Sequence, residues 1–369
     1  MNALENAWIE VSRAALRHNF GAVRALVGPN VQTLAVVKAN AFGHGAGETA
    51  RTFQEAGADF FAVTTPAEAL ELREAGITGR ILVFLPPLPD QIDTLLAAGC
   101  DLTVTDSSTV SAVADAAGRL GIAASVQLKV DTGMGRLGVL PGDALAVAAQ
   151  IAETPSLRFA GIYTHFARAL ETDEAASRKQ FTVFEKALAE LKDARIDPGL
   201  RHCANSAALV RFPQMRLDAV RPGTILYGQY PSAAVPRSVI LQETWRMSAR
   251  IVSVRDLPAG SAIGYGGEFV TRRHTKIAVL PVGYADGFTV APQSASQGLR
   301  GLRQLFKPAP VTVTVRGQRA LVIGRVAMQT CLVDVTNIPG AAAGDLVSIP
   351  ARRLMASARL PRRFVEHFE

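Results

Sequence analysis

Cysteine is scarce in this chain. Its 369 residues include three, Cys100, Cys203 and Cys331, and no two of them form a C-x-x-C pair. That excludes a disulfide framework and a cysteine-built zinc site, and no metal is expected. Free thiols fit a reducing compartment, so a cytoplasmic location is expected. No long apolar run is free of charge, so no membrane-spanning helix is expected. Residues 1–8 lack the basic-then-apolar order of a signal peptide. No cluster of Lys and Arg is interleaved with aromatics, so nucleic acid is not an expected partner despite a formal net charge of +7. The basic excess fits better as a few arginines in a site for a small anion. No G-x-G-x-x-G follows the first strand-like segment, which counts against a dinucleotide-binding fold.

What is present points to two domains. Hydrophobic residues make up 49% of the chain, enough for a large core. Short apolar runs at 32–37, 59–63, 80–84, 102–104, 123–130, 158–163, 200–203 and 217–221 read as strands. Segments of helical pattern alternate with them, including one from Ser12 to about Val27, one at 45–56 and one starting at Ser206. Eight βα units predict a TIM-type (β/α)8 barrel over residues 1–238, with a doubly wound open sheet as the alternative. Near Ser238 the pattern changes to β-like runs separated by Gly- and Pro-containing turns. Residues 239–369 therefore read as an all-β domain, with which residues 1–11 could pair. Residues 291–308 have little periodicity and read as a long loop.

In such barrels the chemistry sits at strand C-terminal ends. The first ends in Val36-Val37-Lys38, followed by Ala39-Asn40-Ala41-Phe42-Gly43-His44-Gly45. A lysine there is either an ordinary strand-end surface residue or, in an apolar site, an amine nucleophile. In the fifth, alternation puts Gln127, Lys129 and Asp131 on one face, and Gly133-Met134-Gly135 lets Arg136 turn back towards it. A structural ion pair between Lys129 and Asp131 fits the spacing equally well. The sixth ends in Tyr163-Thr164-His165, where a lone histidine is commonly structural. Ser206 at a helix start and Arg221-Pro222-Gly223-Thr224 after the eighth strand suit a phosphate, although each alone also reads as a plain cap or turn. In the β domain, Gly264-Tyr265-Gly266 presents a tyrosine on tight backbone, or is a plain hairpin turn.

Val36-Val37-Lys38-Ala39-Asn40-Ala41-Phe42-Gly43-His44-Gly45 resembles the cofactor-lysine motif of the alanine racemases. Leu128-Lys129-Val130-Asp131-Thr132-Gly133-Met134-Gly135-Arg136 resembles a second signature of that family. Further likenesses are Gly161-Ile162-Tyr163-Thr164-His165-Phe166, Gly264-Tyr265-Gly266, Val282-Gly283-Tyr284-Ala285-Asp286-Gly287 and Gly324-Arg325-Val326-Ala327-Met328. The resemblance implies a pyridoxal 5'-phosphate (PLP) enzyme that interconverts L- and D-amino acids by two-base proton transfer at Cα. It implies that Lys38 carries the cofactor and is one base, and that Tyr265 from the partner subunit of a homodimer is the other. It further implies that His165 lies against the pyridine ring and Arg221 donates to its nitrogen. Ser206, Gly223 and Thr224 would then hold phosphate. Arg136 would bind near the cofactor and substrate, and Lys129 would be a carbamylation site. Tyr284 and the Met328 backbone would meet a small amino-acid substrate.

Four departures stand out. Phe42 replaces a usual tyrosine, Ala327 and Gln329 flank Met328 in place of cysteine and aspartate, Val290 lies where an entrance arginine is common, and the C-terminal tail lacks a gate tyrosine. They lead us to expect a wider, less polar entrance and a substrate larger than alanine. The alternatives are retro-aldol cleavage of a β-hydroxy amino acid, decarboxylation, or PLP binding without turnover.

Overall fold

The computed structural model describes residues 5–290 and 310–368. The long loop expected at 291–308 lies outside them. The chain divides into two compact units, residues 13–244 and residues 1–12 with 245–369. The change of unit falls at Thr244/Trp245 rather than at 238/239. Residues 229–244 form neither helix nor strand, and the Thr244 hydroxyl belongs to the first unit, donating to the Tyr227 carbonyl at 3.1 Å.

Residues 13–244 form the closed parallel barrel. After β1 (Ala7–Ser12), its strands are β2 (Gln32–Val36), β3 (Phe60–Val63), β4 (Arg80–Val83), β5 (Asp101–Val104), β6 (Ala124–Lys129), β7 (Leu157–Tyr163), β8 (Leu200–Asn205) and β9 (Ala219–Arg221). They pair in sequence order, and β9 closes on β2. Leu34, Val36, Phe60, Ala62, Leu82 and Ala219 fill the interior with the Tyr163 ring, all nearly inaccessible to water. Burial of several apolar side chains of this size, at about 1.5–3 kcal/mol each, drives closure. The helix Arg13–Val27 buries Leu16, Phe20, Val23 and Val27, as the spacing predicts. Ser12 ends β1, and its hydroxyl donates to the Glu366 carbonyl at 3.0 Å. The helix expected from Ser206 shrinks to Ala208–Arg211, and Asn205 Oδ1 already accepts from the Ala207 and Ala208 N–H groups.

The other unit is a nine-stranded sheet ordered β11-β14-β17-β16-β15-β18-β10-β1-β19. Its strands are β10 (Trp245–Arg250), β11 (Ser253–Leu257), β14 (Thr275–Leu280), β15 (Thr312–Val315), β16 (Gln318–Ile323), β17 (Cys331–Asp334), β18 (Leu346–Ile349) and β19 (Arg362–Val365), with β1 joining them. A separate hairpin pairs β12 (Ala262–Ile263) with β13 (Phe269–Val270). β1 pairs antiparallel with β10 and parallel with β19. Ile263, Ile277 and Ile323 form an apolar cluster in this unit.

One local feature fixes the end of β2. Ala39, Asn40, Ala41 and Phe42 all have φ between 51° and 54°, a left-handed turn made without glycine. Each non-glycine residue there costs about 1–2 kcal/mol. Several contacts offset that cost. Glu68 Oε1 accepts from the Ala39 N–H at 2.6 Å, and Asn40 Oδ1 accepts from the Ala46 N–H at 2.8 Å. The Phe42 ring packs against Tyr227 with centroids 4.8 Å apart. His44, fully buried, contacts the Ala41 carbonyl at 3.0 Å and Thr244 Oγ1 at 2.8 Å.

Asn40→Ala removes the Ala46 acceptor and the side chain best suited to a left-handed position. It is expected to lower unfolding free energy in urea by about 1–2 kcal/mol. An unchanged midpoint would contradict this account of the turn.

Candidate active site

The strand ends converge on one cavity of about 190 Å³ inside the barrel unit. Lys38 from the end of β2, Lys129 from β6, His165 from just past β7 and Arg221 from β9 all line it, and so does Arg136 from the loop after β6. Among the described residues no carboxylate lines it. Four cationic side chains therefore face one small volume, an arrangement suited to an anionic ligand.

The loop carrying Arg136 is shaped by Asp131. The Asp131 carboxylate accepts from the Gly133, Met134, Gly135 and Arg136 N–H groups at 2.8–3.1 Å. Burial works to raise its pKa, and the four N–H donors outweigh it, holding the carboxyl below the usual range. Among the described residues Asp131 makes no ion pair with Lys129, so its part is to fold the loop.

The cluster alters its own protonation. Burial first, then Arg136 and Arg221, lower the pKa of Lys38, while Glu68 works in the other direction. Its amine is thereby a better nucleophile than a surface lysine. Burial, Arg136 and Arg221 bring Lys129 down to about 8. Burial, Arg221 and Lys129 push His165 down to about 3, so its imidazole is neutral. Lys129 Nζ lies 5.5 Å from the Tyr163 ring centroid, and that ring stacks on His202 at 4.9 Å. Burial raises the Tyr163 phenol to about 12, and its hydroxyl contacts Thr103 Oγ1 at 2.9 Å.

Arg221 is the most tightly held group. Its Nη1 donates to His202 Nδ1 at 2.7 Å and to the His202 carbonyl at 3.0 Å. Its Nη2 donates to the carbonyls of Thr164 at 2.7 Å and Cys203 at 3.1 Å, and lies 3.4 Å from His165 Nδ1. The four bonds to His202 Nδ1 and to the three carbonyls use all four terminal hydrogens and leave the Nε–H as the remaining donor.

Ser206 and Gly223 come together as well. The Gly223 N–H donates to Ser206 Oγ at 2.8 Å. A Cβ added at Gly223 would come within 2.8 Å of Phe42 Cζ, so glycine is needed where Phe42 underlies this turn. Thr224 follows, half-buried, at the start of a 3-10 turn. The helix-dipole argument for Ser206 weakens with the four-residue helix, and the adjacency of Ser206 and Gly223 takes its place.

Tyr265, Tyr284 and Met328 belong to the β unit. Tyr265 is 72% exposed in the turn between β12 and β13, flanked by Gly264 and Gly266 at φ of 70° and 73°. Tyr284 and Met328 are neighbours. The Tyr284 and Ala285 N–H groups donate to the Ala327 and Met328 carbonyls at 3.1 and 2.9 Å. Thr64, Phe84, Leu85 and Leu137 also line the barrel cavity and were not anticipated. Thr64, Phe84 and Leu85 directly follow β3 and β4, so reading every strand end would have found them. Glu68 was missed because it sits in a helix and reaches the site only through its carboxylate, which also accepts from Thr64 and Thr65 N–H at 2.8 and 3.0 Å.

Fold and site together define a two-unit barrel enzyme built around a lysine and a ring of cations. Residues 11–231 match the alanine racemase N-terminal domain, and residues 244–359 match the alanine racemase C-terminal domain. The chain is 43% identical over 347 residues to an alanine racemase of Desulforamulus reducens, covering 94% of this chain and 90% of that protein. It superimposes on the alanine racemase of Clostridium difficile with a TM-score of 0.91 at 27% identity, covering 99% of this chain and 97% of that one. A histidine racemase from Leuconostoc mesenteroides gives a TM-score of 0.85 at 26% identity, covering 98% and 99%. The chain belongs to the alanine racemase family. Among the described residues no helix is long and apolar enough to cross a membrane.

The buried lysine gives a stability test. Folded Lys129 gives up its proton near pH 8, whereas an unfolded lysine holds it to about 10.5. Between those values the unfolded chain binds more protons, so stability rises with pH. Lys129→Met in cofactor-free protein and CO2-free buffer is expected to add about 1–3 kcal/mol at pH 7, a gain that shrinks towards pH 10. Urea unfolding at both pH values measures it, and a loss of stability at pH 7 would contradict the assignment.

Proposed function

We propose that this protein is a PLP-dependent amino-acid racemase working through two bases on opposite faces of the substrate Cα, Lys38 and the partner subunit's Tyr265. The single observation that carries the reading is the convergence of Lys38, Arg136, His165 and Arg221 on one cavity at the strand C-terminal ends. The donor set suits the cofactor. Lys38 supplies an amine with a lowered pKa, Ser206 and the Gly223 backbone offer a glycine-dependent cradle for phosphate beside Thr224, and neutral His165 can lie against a pyridine ring. When bound, PLP supplies a conjugated electron-withdrawing ring that acidifies the substrate Cα–H.

The residues divide the remaining work. Lys38 holds or moves the proton on one face, and its depressed pKa keeps part of it in the base form. The Arg221 Nε–H is the donor left for a ring nitrogen. Because arginine does not give up that proton, the nitrogen stays unprotonated and the electron sink stays weak. That disfavours transamination, and also decarboxylation, and leaves proton removal and return. Arg136 binds beside the cofactor and substrate, and its charge also lowers Lys129, whose more readily neutral amine is the form that takes up CO2 as a carbamate.

Exposure of Tyr265, Tyr284 and Met328 supports a homodimer in which each β unit completes the partner's site. Tyr284 and the Met328 backbone then meet the substrate. The names of the relatives point to alanine, and the cytoplasm suits the buried free thiols. Phe42 lies under the Gly223 turn, so its missing hydroxyl bears on the anion cradle. Ala327, Gln329 and Val290 are the positions through which a side chain larger than alanine would be admitted.

The test follows Cα deuteration and chirality of separate L- and D-amino acids in deuterated water. The holoenzyme is expected to exchange and invert either enantiomer. Tyr265→Phe should lose inversion by about 10²–10⁴-fold while Lys38-side exchange persists for one enantiomer, and Lys38→Ala should lose both. Undiminished inversion by Tyr265→Phe would overturn the two-base reading. In the same panel, alanine outpacing every other side chain by far would remove the case for a larger substrate.

A further inference from the structure

We propose that Gln127 and Asp101 are positioning residues that lock His202 in a single neutral tautomer and thereby fix the orientation of Arg221. The observation is a continuous hydrogen-bonded file through the barrel interior. Arg221 Nη1 lies 2.7 Å from His202 Nδ1. His202 Nε2 lies 2.8 Å from Gln127 Oε1, and Gln127 Nε2 lies 2.8 Å from Asp101 Oδ2. Asp101 is also paired with Arg80. The file runs from Arg80 and Asp101, at the starts of β4 and β5, to Arg221 at the end of β9.

Its two ends determine its direction. A guanidinium can only donate, and a carboxylate can only accept. Histidine and glutamine between them can do either. One arrangement alone makes every contact a hydrogen bond. Arg221 donates to His202 Nδ1, His202 Nε2–H donates to Gln127 Oε1, and the Gln127 amide donates to Asp101. The reverse tautomer would set two N–H groups against each other at Arg221. Asp101, Gln127, His202 and Arg221 are each at most 3% exposed, so water does not offer substitute partners.

The surroundings also oppose an imidazolium. Burial first, then the charges of Arg221 and Arg80, hold His202 well below the usual histidine pKa. Tyr163 covers one ring face, and the nearest carboxylate in the file, Asp101, is reached only through Gln127. The backbone makes room for this file. A Cβ at Gly161 would come within 2.9 Å of Gln127 Oε1. With Nη1 satisfied by the Nδ1 lone pair, the guanidinium is pinned with its Nε–H as the remaining donor. A proton on Nδ1 would remove that acceptor and turn the group.

The tautomer stands on the barrel alone. Its catalytic consequence rests on the racemase reading, so the two are measured separately. Full-length protein labelled with ¹⁵N-histidine, cofactor-free and PLP-loaded, is compared with Asp101→Asn and Gln127→Leu by NMR between pH 6 and 9. The wild type is expected to show His202 as Nε2–H alone in both forms. In Asp101→Asn the end no longer only accepts, so the Gln127 amide can reverse and the Nδ1–H form becomes populated. Alanine racemisation should then lose about tenfold in kcat, with KM moving less than about threefold. Gln127→Leu keeps the Arg80–Asp101 pair and strips Nε2–H of its acceptor, so the ring loses its hold on that side. The same loss of kcat decides the matter if Asp101→Asn does not fold, and an unchanged kcat overturns the proposal. A wild-type Nδ1–H signal overturns the proposal, and so does a variant with altered tautomer and unchanged kcat. An Nε2–H wild type without racemisation would overturn the racemase reading and leave the tautomer assignment standing.

Discussion

The mutual repulsion of four cations around one small cavity is the constraint on which the site depends. Lys38, Lys129, Arg136 and Arg221 face that space with no acid among its lining residues. Burial first, and then the charges that the arginines keep, bring down the pKa values of the lysines and His165. The cluster thus makes an amine nucleophile and a neutral imidazole without any special sequence beside either residue. It also suits the cavity to an anionic ligand, which would relieve the repulsion that folding imposes.

Holding those charges apart requires rigid backbone. Arg221 is fixed by acceptors on two neighbouring segments, β8 and the end of β7, and Arg136 by the loop wrapped on the Asp131 carboxylate. Lys38 is fixed by the left-handed turn that follows it. Glu68 links that turn to the end of β3 by accepting from Ala39, Thr64 and Thr65. The same carboxylate works against the fall in the Lys38 pKa, so one residue shapes the turn and moderates the electrostatics.

The barrel was legible because eight short apolar runs alternate with helical patterns, and all eight appear as strands. The lysine, the histidine and Arg221 were legible as strand ends. Other features depend on partners distant in sequence. Apart from Asn40, nothing in Ala39-Asn40-Ala41-Phe42 announces a left-handed turn, since the rest is imposed by Glu68 and by the packing of Phe42 on Tyr227. Alternation along β6 put Gln127 on the same polar face as Lys129, but only the register of four strands sets it between Asp101 and His202. β12 and β13 have two residues each, too few for alternation to register. β19 reads as an arginine-rich tail until its pairing with β1 is seen.

The central claim is that Lys38, among all the lysines, is the cofactor-bearing amine. Borohydride reduction of the PLP-loaded protein, followed by peptide mass mapping, tests it most directly. The account expects the phosphopyridoxyl adduct on Lys38, with Lys129 unlabelled although its pKa is also lowered. An adduct on any other lysine, or none at stoichiometric loading, would contradict it.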